Sequence, residues 1–314
     1  MSDYPIHSEI QPKVHLIRGS NNARFPEANC LFIDDEILTL VDAGSNIDHV
    51  RKTMKDLGHE IRDLDRIVLT HFHIDHKGYA AFIQKESECE VLCHTLAEAG
   101  VRSFRGLVDL IGIGDHHFHN DWIEYVEAVV PHVKMSYEVS GTFHDCSPIS
   151  CGETTLLPIH SPGHSADHTC FGINGNDTIF LVDIDLTNFG PWYGNVTSDV
   201  RFFKNSIRRV LDLDPKVGIS SHLINPVTEG LRQRLEDYLH VIDVREERLL
   251  KLVAQGYNTV SKLVKVPTIY PRIPIDAFYF FEELMVEKHL DILVEDGRVE
   301  LEGGLIIPKR EGGA

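Results

Sequence analysis

The sequence predicts a layered α/β protein with one large domain and a small one. Short β-rich runs alternate with segments of helical spacing, which is the order expected when helices cover a sheet. The chain has 314 residues, of which 42% are hydrophobic and 25% charged, as in an ordinary globular protein. No apolar run approaches the roughly 18 residues that a membrane span needs. We therefore expect a soluble protein that does not enter a membrane.

Apolar runs and turn residues mark the first strands and helices. The predicted strands cover residues 14–18, 30–33, 37–41, 66–69 and 90–93, and the predicted helices cover 47–57 and 78–85. Residues 34–36, with the sequence Asp-Asp-Glu, predict a hairpin turn between two of these strands. Asn46 or Ser45 is a suitable N-cap for the first helix, and Gly58 is a suitable stop after it.

Residues 97–150 are less regular and form a long insertion. They contain a histidine-rich cluster at 116–119, helical spacing at 122–129 and a strand-like run at 137–139. Insertions of this length usually lie over a surface and often shape a pocket. We expect this one to shape the substrate pocket.

Strands resume after the insertion and give way to a different unit near the C-terminus. The predicted strands cover 154–159, 169–173, 178–182 and 216–220, and the predicted helices cover 199–211 and 229–254. Residues 174–177 predict a hairpin turn. Beyond these, helices at 259–264 and 277–289 and a two-stranded wing from 290–294 and 299–301 predict a winged-helix-like unit. The predicted domains are therefore 1–255 and 256–314.

Charge and cysteine content exclude several classes of protein. The formal net charge of −18 repels polyanions, and no basic patch opposes it, so nucleic acid is not the expected partner. The N-terminus lacks a basic segment followed by an apolar stretch, so no secretory signal is visible. Six cysteines without framework or zinc-knuckle spacing suit a reducing compartment. We expect a cytoplasmic location.

The segment HFHIDH at residues 71–76 follows the predicted strand 66–69 directly. His71 and His73 alternate and point the same way from an extended segment, whereas Asp75 and His76 turn into the next helix. Two adjacent metal ions can then each receive ligands. The segment therefore predicts a metal site.

Three later positions place one metal-competent side chain each at a predicted strand end. His164 follows 154–159 in the turn sequence Ser-Pro-Gly-His, Asp183 follows 178–182, and His222 follows 216–220. An isolated histidine is more often structural than a ligand. The shared position at strand ends favours a role in the same site.

With Asp42 in Val-Asp-Ala-Gly, these motifs occur in the order that is typical of one family. The sequence resembles the metallo-β-lactamase superfamily, in particular its glyoxalase-II-like branch, over residues 10–240, with a C-terminal winged-helix-like extension. The resemblance implies a four-layer αββα sandwich with metal ions at one edge between two sheets. It implies one metal ion on His71, His73 and His164. It implies a second ion on Asp75, His76 and His222, with Asp183 bridging the two, and a role for Asp42 in orienting a ligand histidine.

This ligand set predicts a hydrolase. Two divalent ions about 3.5–4 Å apart share a water, lower its pKa and deliver hydroxide to a carbonyl carbon. Asp75 is the candidate that steers the hydroxide and accepts its proton. Nitrogen and oxygen ligands admit zinc, iron or manganese, and zinc is our default.

Three other residues are candidates for supporting roles. His168 is a candidate for supporting the ligands or lining the pocket, with a plain structural role equally open. Tyr193 is a candidate donor to an oxyanion, and Trp192 is a candidate wall of the pocket, although burial is the commoner use of a tryptophan.

Three functions remain open from the sequence. The first is hydrolysis of a thioester, ester or lactone of a small metabolite, as the resemblance to hydroxyacylglutathione hydrolase implies. The second is an endoribonuclease of the β-lactamase-like-protein-2 type, which pairs this fold with a C-terminal winged helix. The third is a non-catalytic binding module. Acidic residues outnumber basic ones in 256–314, which disfavours RNA, and that unit is instead a candidate cap or homodimer element.

Overall fold

The computed structural model describes residues 4–309 and contains two β-sheets packed face to face, with helices on both outer sides. The predicted four-layer αββα sandwich is thereby confirmed. The expectations that fall on residues 1–3 and 310–314 lie outside the described residues. Between residues 4 and 309, no helix combines the length and the apolar composition that a membrane crossing requires.

The first sheet has seven strands that follow one another in chain order. They are β1 (His7–Gln11), β2 (Val14–Ile17), β3 (Cys30–Ile33), β4 (Thr39–Val41), β5 (Arg66–Val68), β6 (Glu90–His94) and β7 (Gly141–Phe143). Strands β1 to β4 pair antiparallel, and β4 to β7 pair parallel. The carboxyl ends of β4 and β5 therefore meet at one edge, where the candidate ligands begin.

The second sheet has five strands in the order β12-β11-β10-β9-β8. They are β8 (Ile149–Ser150), β9 (Thr155–His160), β10 (Thr169–Ile173), β11 (Thr178–Val182) and β12 (Val217–Ser220). The predicted hairpin at 174–177 joins the antiparallel pair β10 and β11. Strand β12 runs parallel to β11, so both strands end at the same edge of the sheet.

Ten α-helices within the described residues cover the two sheets and the open edge. They are α1 (Ile47–Asp56), α2 (Ile74–Lys77), α3 (Ala80–Ser87), α4 (Glu98–Arg102), α5 (Phe104–Ile111), α6 (His119–Val129), α7 (Val200–Leu213), α8 (Leu231–Ala254), α9 (Val260–Leu263) and α10 (Phe278–Glu295). Two predicted starts are confirmed by their caps: Asn46 accepts hydrogen bonds from the backbone of α1, and Asp199 accepts one from the backbone of α7.

Three apolar cores hold the layers together. Leu16 and Val41 of the first sheet and Phe171 and Phe180 of the second belong to the core between the sheets, and all four are fully buried. A second core lies between the first sheet and its helices, and a third between the second sheet and α7, α8 and α10. Strands buried on both faces carry the near-continuous apolar runs seen in the sequence.

Two predicted strands are wrong. Residues 137–139 are irregular, and the strand that pairs with β6 lies slightly later, at Gly141–Phe143. Residues 290–294 belong to α10, because Leu290 and Leu293 continue the buried helical face that includes Met285 and Val286. The predicted strand at 299–301 is confirmed as β13 (Val299–Glu302), which pairs with β14 (Leu305–Pro308), and the winged-helix-like character of this segment stays a prediction.

Helix α10 packs against both halves of the sandwich. Phe280 and Phe281 belong to the core of the first sheet and its helices, whereas Met285 and Leu293 belong to the core that contains Leu249 of α8. The apolar core is therefore continuous across the predicted boundary at residues 255 and 256. The division into two domains stays a prediction.

Gly44 allows the end of β4 to contact the segment that carries the candidate ligands. A Cβ atom at this position would lie 1.4 Å from the carbonyl oxygen of Asp75. The adjacent residue Ala43 accepts a hydrogen bond from the backbone of Tyr79 and donates one to the backbone of His76. The close approach fixes the position of α2 relative to the first sheet.

We predict that Gly44→Ala lowers the free energy of unfolding by about 2 kcal/mol or more, because backbone atoms must move to accommodate the new methyl group. Denaturant unfolding monitored by circular dichroism measures the change. Gly114→Ala is the matched control, since its Cβ would meet only Val108 Cγ1, at 3.6 Å. Equal stabilities of the two variants would contradict the prediction.

Candidate metal centre

The seven side chains predicted as ligands come together at the edge where β5, β9, β11 and β12 end. Their ligand atoms form two adjacent groups, and within each group these atoms lie within 4.8 Å of one another. The first group contains His71, His73, His164 and Asp183, and the second contains Asp75, His76 and His222. The resemblance implied the same division of the other six residues and gave Asp183 to both groups.

Three ring nitrogen atoms and one carboxylate oxygen converge in the first group. His73 Nδ1 lies 3.0 Å from His71 Nε2 and 2.8 Å from His164 Nε2. His164 Nε2 lies 3.0 Å from Asp183 Oδ2. Burial and the neighbouring rings hold the pKa values of His71 and His73 well below the usual range, so both rings are neutral and able to bind a cation.

The second group faces the other oxygen of the same carboxylate. Asp183 Oδ1 lies 3.3 Å from His76 Nε2 and 3.5 Å from His222 Nε2. Asp75 Oδ2 lies 3.6 Å from His222 Nε2 and 3.8 Å from His76 Nε2. Asp183 therefore presents one oxygen to each group, which is the geometry required of a carboxylate shared by two metal ions.

Two buried atoms support the presence of a cation in this centre. His76 Nε2 and Asp183 Oδ1 lie 3.3 Å apart, and neither atom has a hydrogen bond of good geometry within the described residues. Buried polar atoms are rarely left in this state, because their desolvation costs about 1–3 kcal/mol. The donor set of nitrogen and carboxylate oxygen atoms suits zinc, iron or manganese.

Carboxylate and carbonyl oxygens around the centre fix the orientation of the histidine rings. His76 Nδ1 donates to Asp42 Oδ2 at 2.8 Å, and Thr70 donates to the same carboxylate through its backbone and its hydroxyl. His164 Nδ1 donates to the Trp192 carbonyl at 2.9 Å. With Nδ1 protonated in this way, Nε2 is the nitrogen of each ring that faces the centre, and it can bind a cation once it carries no proton. Asp42 thus occupies the position expected of a residue that orients a ligand.

His168 contacts the backbone of Asp183 and does not belong to either group of candidate ligands. Its ring is fully buried; Nδ1 donates to the Ser161 carbonyl at 2.8 Å, and Nε2 accepts from the Asp183 backbone N–H at 3.1 Å. The contact fixes the backbone at the end of β11, and with it the shared carboxylate.

The sequence did not single out Asn195. Its side-chain nitrogen lies 3.0 Å from His73 Nε2 and 3.3 Å from the His164 carbonyl oxygen, so it touches two candidate ligands at once. Asn195 is in an irregular loop, where neither periodicity nor a strand end marks it.

Tyr193 does not occupy the position that the sequence suggested, and we correct that prediction. The side chain is fully buried, its hydroxyl donates to His289 Nε2 at 2.6 Å, and it accepts from Arg245 at 2.9 Å. It does not line the cavity at the centre, and burial raises its pKa. The neighbouring Trp192 does line the cavity, and its ring centroid lies 5.4 Å from those of His73 and His164.

The cavity beside the centre has a volume of about 990 Å³. Five of the seven candidate ligands line it: His73, Asp75, His164, Asp183 and His222. A small molecule can therefore reach both groups from one side.

In the second group, the nearby carboxylates change the pKa values of the histidines more than burial does. Burial alone would lower the pKa of His76, but Asp183, Asp42 and Asp75 raise it well above the usual range. Burial likewise opposes the charged form of His222, but Asp183 and Asp75 raise the pKa of that ring to about 9. In the ion-free protein both rings are therefore protonated at neutral pH.

Comparison with known proteins agrees with this geometry. Residues 24–222 match the family described as "Metallo-beta-lactamase superfamily", and the chain belongs to that superfamily. It is a hydrolase of the metallo-β-lactamase fold. A metallo-β-lactamase family protein from Thermus thermophilus has a similar structure, with a TM-score of 0.76 and 22% sequence identity over 96% of this chain and all of that one.

Two relatives have low sequence identity to this chain but align with most of its length. "Atrochrysone carboxyl ACP thioesterase" from Passalora fulva is 23% identical over 96% of this chain and 81% of its own length. "Beta-lactamase-like protein 2 homolog" from Drosophila melanogaster is also 23% identical, over 78% of this chain and 73% of its own length.

We predict that Asp183→Asn lowers the number of zinc ions bound per chain, because a neutral amide cannot serve both groups as a carboxylate does. Elemental analysis of purified protein after zinc loading and dialysis measures the content. Asp177→Asn is the matched control, since Asp177 is exposed and directly precedes the strand that Asp183 follows. Unchanged zinc content in Asp183→Asn would argue against a shared carboxylate.

We also predict that zinc binding releases protons at pH 7. The ion binds neutral rings, whereas His76 and His222 have raised pKa values and are protonated in the ion-free protein. Affinity should therefore increase as the pH rises from 6 to 8. Calorimetric titrations in buffers of different protonation enthalpy measure the release, and binding without it would contradict the assignment.

Proposed function

We propose that this protein hydrolyses thioester or ester bonds of small-molecule substrates, using a centre of two divalent ions. The observation that carries the proposal is the Asp183 carboxylate, which faces a separate group of candidate ligands with each of its oxygens. The centre opens to a cavity large enough for a metabolite.

The residues that would hold the ions are those of the two groups described above, with zinc as the default metal and iron or manganese as alternatives. Two ions bound there would supply a nucleophilic water of lowered pKa and a Lewis acid for the substrate carbonyl. Asp75 lines the cavity with its carboxylate in the second group, so it is the candidate that orients this water and accepts its proton.

A protein nucleophile is not needed for this reaction, and no cysteine lines the cavity within the described residues. Five of the six cysteines are buried free thiols, and burial raises the pKa of Cys30, Cys93 and Cys170. Buried thiols of this kind are unreactive. They also fit a reducing compartment, which is the basis for proposing a cytoplasmic location.

The names of similar proteins favour one type of bond among those that the centre could cleave. Several proteins similar to this chain along most of its length are named as acyl carrier protein thioesterases. We carry thioester cleavage over as a proposal, alongside the ester and lactone cleavage of the glyoxalase-II-like branch. The net charge of −18 remains an argument against RNA as the substrate.

The test is a panel of thioesters, aryl esters, lactones and single-stranded RNA, offered to the zinc-loaded protein. We expect thioester or ester turnover that falls by about a thousandfold in His73→Ala and in Asp183→Ala. His240→Ala is the control, because the side chain of His240 is 71% exposed and lies outside the centre. Metal-dependent RNA cleavage without ester or thioester turnover would overturn the proposal in favour of a nuclease.

A further inference from the structure

The cavity is much larger than a small acyl group requires. Small-molecule sites usually enclose roughly 300–1,000 Å³, and the volume of about 990 Å³ lies at the top of that range. We therefore expect a substrate that fills the space beyond the candidate ligands.

Aromatic rings form one continuous side of this cavity. We call them the aromatic wall; its residues are Phe25, Tyr125, Trp192, Tyr270, Phe278 and Phe281. They come from the loop between β2 and β3, the 97–150 insertion, the loop after β11 and the C-terminal segment. Rings gathered from four separate segments indicate a shared surface at this place and not the periodic face of one helix.

The inner end of the aromatic wall contacts the metal centre. The Trp192 ring lies 5.4 Å from the rings of His73 and His164 and 5.5 Å from Phe281. Its indole nitrogen donates to the Tyr270 hydroxyl at 2.7 Å, so the polar end of the ring is satisfied within the wall. An acyl group whose carbonyl carbon sits at the centre would therefore extend along this ring.

The outer end of the aromatic wall reaches the surface. Phe278 lies 5.3 Å from Phe281 and 5.7 Å from Tyr125, and the Tyr125 ring stacks on Phe25 at 6.3 Å. Phe25 is 42% exposed. Aromatic pairs in edge-to-face or offset-stacked geometry are worth about 0.5–1.5 kcal/mol beyond the area that they bury, so an aromatic acyl group can gain this energy from the wall.

Two arginines give the same cavity a cationic side. Arg24 and Arg234 line it, and within residues 4–309 neither guanidinium forms an ion pair or hydrogen bond. Arg24 follows Ala23, whose carbonyl accepts a hydrogen bond from His222. In a chain of net charge −18, unpaired arginines beside a cavity favour a bound anion, and guanidinium groups bind phosphate well.

We propose that the substrate is a thioester of a bulky aromatic acid with a thiol that carries phosphate, an inference that rests on the function proposed above. The aromatic wall binds the acyl group, and Arg24 and Arg234 bind the phosphate of the leaving thiol. Water adds to the carbonyl carbon and the C–S bond breaks, so that the products are the aromatic carboxylic acid and the free thiol.

Binding is tested first, without turnover. The chain has two tryptophans, Trp122 and Trp192, and both line the cavity. The probe is the 4-nitrobenzyl thioether of coenzyme A, which cannot be hydrolysed and whose nitroaromatic ring quenches tryptophan fluorescence. We expect saturable quenching of the zinc-loaded protein, weakened about tenfold in Phe278→Ala, the loss expected for one aromatic contact.

Two matched variants control this measurement. Phe202→Ala removes a phenylalanine that is 58% exposed and outside the cavity, and it should leave the affinity unchanged. Arg234→Gln should weaken binding of the coenzyme A thioether but not that of the 4-nitrobenzyl thioether of N-acetylcysteamine, which lacks phosphate. Arg208→Gln, outside the cavity, should affect neither.

Turnover then separates this inference from the proposed function. We expect kcat/KM for 2-naphthoyl-coenzyme A to exceed that for acetyl-coenzyme A by at least about tenfold, and Phe278→Ala to reduce that ratio. A 2-naphthoyl group on a phosphopantetheinyl carrier protein distinguishes a protein-bound thiol from a free one. Two results would overturn the aromatic assignment and leave thioester hydrolysis intact. One is an equal kcat/KM for the acetyl and the naphthoyl thioester, and the other is an octyl thioether of coenzyme A that binds as tightly as the 4-nitrobenzyl thioether. Absence of all thioester turnover, with probe binding retained, would overturn the hydrolase instead.

Discussion

The structure depends on a carboxylate that is buried among imidazole rings. Asp183 is almost fully buried, yet the nearby rings of His76, His164 and His222 hold its pKa well below the usual range although burial opposes ionisation. An ionised group in such a place is stable only when positive charge surrounds it closely. The fold supplies this arrangement by ending strands of two sheets at a single edge, so that rigid backbone positions the side chains there.

The candidate ligands could be proposed from the sequence because each of their positions depends on local sequence. The segment at residues 71–76 follows a strand, and His164, Asp183 and His222 each come within four residues of the end of another, so the end of the strand determines where the side chain emerges. Helix boundaries were predictable for the same reason, since Asn46 and Asp199 are caps that act within a few residues. The alternation of strands and helices predicted a layered α/β protein, and the family resemblance carried by the order of the motifs implied the four-layer sandwich.

The remaining features depend on contacts that sequence spacing does not record. Trp192 and Tyr193 are adjacent in an irregular loop, and only the packed structure determines that the first lines the cavity while the second bonds to His289. The run at 290–294 has a composition suited to a strand, but packing of α10 against α8 continues it as helix. The aromatic wall was not predictable, because its rings are far apart along the chain and each is individually typical of ordinary core packing.

Helix α10 gives this architecture a particular evolutionary freedom. All candidate ligands precede residue 223, and the family match also ends at residue 222, whereas Tyr270, Phe278 and Phe281 come from the segment beyond them. Part of the proposed substrate-binding surface is thus encoded beyond the candidate ligands, whereas Phe25, Tyr125 and Trp192 of the same wall lie within the family match. Under the function proposed above, mutation of the later part would alter which acid is recognised while the ion-binding edge stays as it is, so that one scaffold acquires a new specificity without rebuilding its reactive core.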